Sequence, residues 1–196
     1  PEKKENVLVP WYNLHKILAG LLEIAEQLPI FSEKALQIAS DFGDYVYQRM
    51  MHLADKEQML TIEYGGMNDA LYHLFALTGK KEHRIAASFF DEETLFDALA
   101  NGEDVLAGKH ANTTIPKFIG AMRHYQVVGD DTKYLQAAQN FWEIVVKDHT
   151  YCTGGNSQSE HFHEADQLYY DAHVRNGDCT CETCNTHNML KLSKII

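Results

Sequence analysis

The strongest constraint on the fold of this chain is a hydrophobic pattern that returns about every 50 residues. "NLHKILAGLLEIAEQL" places Leu14, Ile17, Leu18, Leu21, Leu22, Ala25 and Leu28 at the i, i+3, i+4, i+7 spacing of an amphipathic helix. Pro29 breaks the pattern, and "SEKALQIASDFGDYVYQRM" resumes it with Ser32 as the expected N-cap. The same helix-turn-helix unit recurs as "MNDALYHLFALTGK" with "KEHRIAASFFDEETLFDAL", and as "IPKFIGAMRHYQVVGD" with "TKYLQAAQNFWEIVVKDH". Gly79 and Gly129 fall at matching C-cap positions, where a left-handed residue ends a helix. A fourth unit begins with "NTHNMLKLSKII". "LTIEYGG" is the one short strand candidate, so the chain reads as all-α, either an open solenoid or a closed double-layered helical barrel.

The segments leading into each first helix help choose between these. "VPWYNLHK", "IEYGGMNDA", "LAGKHANTTIPK" and the long "CTGGNSQSEHFHEADQLYYDAHVRNGDCTCETCN" are rich in Gly, His, Asn, Tyr or Trp, and all arrive at the same helix end. In a barrel they would converge on one mouth, which is where binding and catalytic groups gather. Residues 1–196 are therefore expected to be part of a single barrel domain. The chain starts on Pro1 and stops at Ile196 inside a helical pattern, so it reads as an excised piece.

Charge and hydropathy exclude some partners. A formal net charge of −11 disfavours nucleic acid and anionic membranes, which need clustered Lys and Arg. No run approaches the roughly 20 apolar residues of a membrane span, and "PEKKENVLVPWYN" lacks the apolar stretch of a signal peptide. The chain is expected to be cytoplasmic, or periplasmic or secreted if a signal precedes it. A neutral substrate suits it best.

All four cysteines, Cys152, Cys179, Cys181 and Cys184, fall in the last quarter. Such clustering favours metal binding or catalysis over a disulfide framework. Cys181-x-x-Cys184 fits a thiol redox motif only in a βαβ context, which this chain lacks. A zinc knuckle could draw on Cys179, Cys181 and Cys184 with His187, His161 or His163. Alternatively, Glu182 and Cys184 ligate zinc with ligands from elsewhere, Cys184 lying at a helix start that favours a thiolate. Inert thiols packed under a loop are the plain alternative.

Among the acids, Glu160 follows the Gly154-Gly155 pair and is flanked by His161 and Phe162. Beside an aromatic ring in a sugar-sized pocket it could act as a general acid; otherwise it is a solvated loop residue. Trp11, Tyr12, His15 and His110 recur at one phase of successive units, as do Asn68, Asp69 and Asn112, which could hydrogen-bond sugar hydroxyls. Each taken alone would read as a cap or packing residue.

"WYNLHKILAGLL", "EYGGMNDALYHLFALTG", "LAGKHANTTIPKFIGA", "NFWEIVV", "TGGNSQSEHF" and "ETCNTHNMLKL" together resemble the catalytic domain of the zinc-dependent β-L-arabinofuranosidases of glycoside hydrolase families 127 and 146. The blocks occur in family order over nearly the whole chain. The resemblance implies an incomplete (α/α)6 barrel, a glycan substrate bearing L-arabinofuranose, bound Zn2+, and a retaining mechanism with a zinc-bound cysteine thiolate as nucleophile. By motif match Glu160 is the acid/base, Glu182 and Cys184 are two zinc ligands, His15 matches a histidine near the sugar and His110 is a weaker match to the same pocket; Trp11, Tyr12, Asn68 and Asn112 are expected to bind substrate from their shared phase. The family's further cysteines, including the nucleophile, lie downstream of the block matching "ETCN", so they are expected beyond Ile196; Cys179 and Cys181 match no family ligand. The apolar faces of an unclosed barrel suggest a homodimer. Competing readings are a non-catalytic carbohydrate-binding barrel and a helical-repeat protein with a structural zinc site.

Overall fold

The computed structural model describes residues 8–129, 131–167 and 181–196. Among the described residues the chain forms nine helices and no strand, its β-pairing limited to isolated bridges. They are α1 (Pro10–Gln27), α2 (Ser32–Met51), α3 (Lys56–Leu60), α4 (Met67–Thr78), α5 (Lys81–Ser88), α6 (Glu93–Ala100), α7 (Ala111–Val127), α8 (Thr132–Asp148) and α9 (Thr183–Ile195). None is long and apolar enough to cross a membrane.

The helices pack in two layers. α1, α4, α7 and α9 lie side by side in that order, and each hairpin partner packs behind: α2 on α1, α5 on α4, α8 on α7. The outer helices also meet one another, α2 with α5 and α6 with α8. This is the (α/α) layering that the repeat predicts, and it points the N-terminal ends of the inner helices the same way.

Two apolar clusters hold the layers together. One joins α1, α2, α4 and α5 through Trp11, Leu18, Leu22, Val46, Met50, Leu71 and Phe90. The other joins α6 to α9 around a ladder of rings: Phe96 edge-on to Phe118, Phe118 stacked on Phe141 at 3.9 Å, and Phe141 edge-on to Phe162. Each fully buried ring contributes about 2 to 3 kcal/mol of apolar transfer. Phe162 matters most for function, because it anchors the loop carrying Glu160 in this core.

Three local expectations change. Phe31, not Ser32, is the N-cap of α2, and no side chain caps it. The turn through Pro29 explains this, since backbone bonds Phe31 N to Leu28 O and Ser32 N to Pro29 O already satisfy donors there. "LTIEYGG" is not a strand: Leu60 ends α3, and Tyr64 turns into the core at 0% exposure. The long helix expected over "KEHRIAASFFDEETLFDAL" breaks into α5 and α6 so that Phe90 and Asp91 can point inward. Gly79 behaves as expected, ending α4 with φ 67°, and Gly129 follows α7 with φ 71°.

Candidate active site

The converging loops build the site around the start of α7. Its first backbone donor, Ala111 N–H, has no partner within the helix and bonds Glu160 O at 2.8 Å. Phe162 N donates to Lys109 O and Gly108 N to Phe162 O, so residues 158–162 run alongside the approach to α7. This pairing holds Ser159 (φ 46°) and Glu160 (φ 69°) in the left-handed region that L-residues avoid at a cost on the order of 1 kcal/mol each. The strained backbone aims the Glu160 carboxylate outward, with the side chain 54% exposed.

Glu160 Oε2 lies 3.5 Å from His110 Nε2, and Glu63 Oε1 approaches the same nitrogen at 3.9 Å. The His161 ring stands edge-on to His110 at 5.2 Å. The other His110 nitrogen, Nδ1, is buried with no hydrogen-bond partner. A neutral ring therefore carries its proton on Nε2, facing the two carboxylates.

A second cluster spans α1, α7 and α9. Asn112 Nδ2 donates to the Tyr12 hydroxyl at 3.1 Å, and Asn188 Nδ2 donates to Asn112 Oδ1 at 3.0 Å. Tyr12 packs edge-on to His15, whose ring is almost fully buried. Burial, then the nearby Lys16 charge, push the His15 pKa down to about 4. Gly65, at φ 56°, and Gly66 let the backbone press on this pair; a side chain at Gly65 would collide with the rings of both His15 and Tyr12.

The third cluster is the turn into α9. Cys181 N–H bonds Ser157 O, Asn185 Nδ2 bonds Ser157 Oγ at 2.7 Å, and Thr186 Oγ1 reaches Gly154 O. Cys181 packs against Gly155, where any side chain would strike its sulfur. This clamp ties the Glu160 loop to Glu182, the N-cap of α9, and to Cys184 in its first turn. Burial first, then the charge of Glu182, push the Cys184 thiol up; burial likewise raises Cys181. Glu182 Oε2 is buried with no protein partner. Among the described residues no group of three His, Cys, Asp or Glu side chains is placed to hold a metal ion. Glu182 and Cys184 thus offer two neighbouring donors of types that zinc accepts. Cys179 lies outside the described residues.

Two expected pocket residues sit elsewhere. Trp11 is 3% exposed and packs edge-on to Phe90 as a core residue. Asn68 is fully buried, donating to Asp91 Oδ1 and Lys117 O while its own Oδ1 accepts from Asp69 N, which leaves no face for a sugar. Asp69 forms an ion pair with Arg123. Tyr12, His15, Asn112, His110 and Glu160 do gather at the inner-helix ends. Sequence reasoning missed Glu63, Ser157, Asn185 and Asn188. Glu63 shares the phase of the other residues at that mouth, and Asn185 and Asn188 share one face of α9 by their i, i+3 spacing.

The sequence model of the β-L-arabinofuranosidase GH127 catalytic domain matches residues 1–196. The chain belongs to that family. It is thus a glycoside hydrolase domain acting on carbohydrate, and its layered helices are those of the family's (α/α)6-type barrel. No curated protein matches the chain.

Proposed function

We propose that this GH127 domain serves a retaining β-L-arabinofuranosidase in which Glu160 is the general acid/base. The observation carrying the reading is the Glu160 carboxylate, held out at the barrel mouth by main-chain pairing with the approach to α7 and facing His110 at 3.5 Å. Glu160 protonates the departing glycosidic oxygen as a cysteine thiolate attacks the anomeric carbon. The resulting carboxylate then takes a proton from the water that cleaves the glycosyl–sulfur bond. Tyr12, Asn112 and His110 present hydroxyl, amide and imidazole groups suited to furanose hydroxyls.

The nucleophilic cysteine in this reading is one the resemblance places downstream of Ile196. Glu182 and Cys184 would hold part of a Zn2+ site, the unpartnered Glu182 oxygen and the adjacent thiol being what supports the assignment. Zinc, when bound, favours thiolate over thiol at neutral pH. The clamp through Ser157 and Asn185 keeps this turn in register with the Glu160 loop.

Glu160→Gln in the complete enzyme should cut kcat/KM on an alkyl β-L-arabinofuranoside by about 10²- to 10⁴-fold, with zinc content unchanged. Retained activity would remove Glu160 from the mechanism. Exposed apolar side chains on α1 and the turn into α2, among them Ile17, Ile30 and Phe31, support homodimerisation along that edge. Light scattering that finds only monomer refutes the dimer.

A further inference from the structure

Glu63 enters the site without any role in the reading above. Its position is fixed from both sides. Tyr64, fully buried, packs on Phe90 and sends its hydroxyl to Glu92, while Gly65 and Gly66 lie against His15. The segment therefore has little freedom, and it delivers the Glu63 carboxylate to the same His110 Nε2 that Glu160 faces.

His110 has one N–H to offer and two carboxylates beside it. At 3.5 and 3.9 Å both contacts lie outside the range of a tight hydrogen bond, and a small ring movement closes either one. Stability does not require the arrangement, since ion pairs involving carboxylates this exposed contribute little. The other charged groups around the pair are Lys117, His161 and Lys109. Lys117 is paired with Glu92 and lies over the Tyr64 ring, yet still feels Glu63; His161 binds Ser159 O through Nδ1; Lys109 acts on Lys117.

Building on the assignment of Glu160 as acid/base, we infer that Glu63 is a positioning residue that holds the His110 N–H while Glu160 is protonated and yields it when Glu160 ionises. In the first half-reaction Glu160 transfers its proton to the leaving oxygen as the glycosidic C–O bond breaks. The His110 N–H then moves from Glu63 to the new Glu160 carboxylate, with no proton transferred. In the second half Glu160 takes a proton from the attacking water, and the N–H returns to Glu63.

The test is the pH profile of kcat/KM for the complete enzyme on an alkyl β-L-arabinofuranoside, comparing wild type, Glu63→Gln, Glu63→Asp and Glu160→Gln. With Glu63→Gln the alkaline limb should move to lower pH by about 0.5 to 1 unit, with melting temperature and zinc content unchanged. Glu63→Asp should return the limb toward wild type. A limb that stays in place, or a loss of activity equal at every pH, overturns the inference. Glu160→Gln separates the two levels of the argument. If that variant keeps both activity and limb, the acid/base assignment fails and this inference with it. If it loses them while Glu63→Gln leaves the limb unmoved, only the role of Glu63 fails.

Discussion

Two polar regions of this molecule, one around Asp91 and one at the barrel mouth, treat buried hydrogen-bonding groups in opposite ways. Asp91 is fully buried at the break between α5 and α6, and both its oxygens are satisfied. Oδ1 accepts from Asn68, while Oδ2 accepts from the hydroxyls of Tyr72 at 2.6 Å and Tyr134 at 3.1 Å. At the mouth, His15 Nδ1, His110 Nδ1 and Glu182 Oε2 are buried without partners. A buried polar atom left unpaired costs about 1 to 3 kcal/mol, so a protein tolerates several in one place only when something else uses them. The Asp91 network is closed within the fold, whereas the polar atoms at the mouth keep open valences.

Breaking the closed network should have the largest effect. Asp91→Ala strands two tyrosine hydroxyls and the Asn68 amide, and should cost about 4 kcal/mol. In thermal or urea unfolding this appears as a drop in melting temperature of about 10 °C, while activity per folded molecule is retained. Unchanged stability would mean that the network is not what fastens α4, α8 and the α5–α6 break.

The two regions also titrate with opposite sign. Burial raises the Asp91 pKa to about 6, against the hydrogen bonds from Tyr72, Asn68 and Tyr134. The folded state then holds the proton more tightly than the unfolded chain. Its contribution is present below about pH 4 and is lost as pH rises through about 6. For His15, lowered to about 4, the unfolded chain protonates first, so stability falls as pH drops from about 6.5 to 4, by about 3 kcal/mol in all. His83, also lowered by burial, acts in the same direction as His15. The slopes oppose each other between about pH 4 and 6. His15→Gln should unmask the Asp91 slope, making the variant gain stability relative to wild type as pH falls from 7 to 4.5. Parallel urea curves for the two proteins at both pH values would refute the linkage.

How legible these regions were in the sequence follows from the same distinction. Helix spacing marked α1, α2, α4, α7 and α8, because an amphipathic stripe is written in consecutive residues. The shared phase of Tyr12, His110 and Asn112 marked the mouth, because topology carries equivalent positions to one end. That phase misled at Trp11 and Asn68, which occupy the same helix ends but turn into the core. Whether such a residue faces the lumen or the interior depends on contacts such as Asn68 with Asp91 and Lys117, which no local spacing encodes. The inward kink at Asp91 was hidden for the same reason, since "FFDEE" reads as a continuing polar helix face until Tyr72 and Tyr134 arrive from distant segments. Glu63 escaped notice because its partner His110, and the Glu160 that faces the same ring, come from segments 47 and 97 positions downstream.

The smallest effect on stability should come from a residue in the open region. Glu182 is the N-cap of α9, yet its side chain accepts no bond from the start of the helix, and Oε2 is buried without a partner. Removing it from metal-free protein takes away an unsatisfied oxygen instead of stranding donors, the reverse of Asp91→Ala. Glu182→Ala should therefore change metal-free stability by less than about 0.5 kcal/mol, or raise it slightly. Zinc content should fall by about tenfold or more, because the proposed site loses an anionic donor whose Oε2 has no protein partner. A stability loss comparable to that of Asp91→Ala would place Glu182 in the closed network. Unchanged zinc content would remove it from the metal site and leave its buried oxygen to be explained by some other occupant.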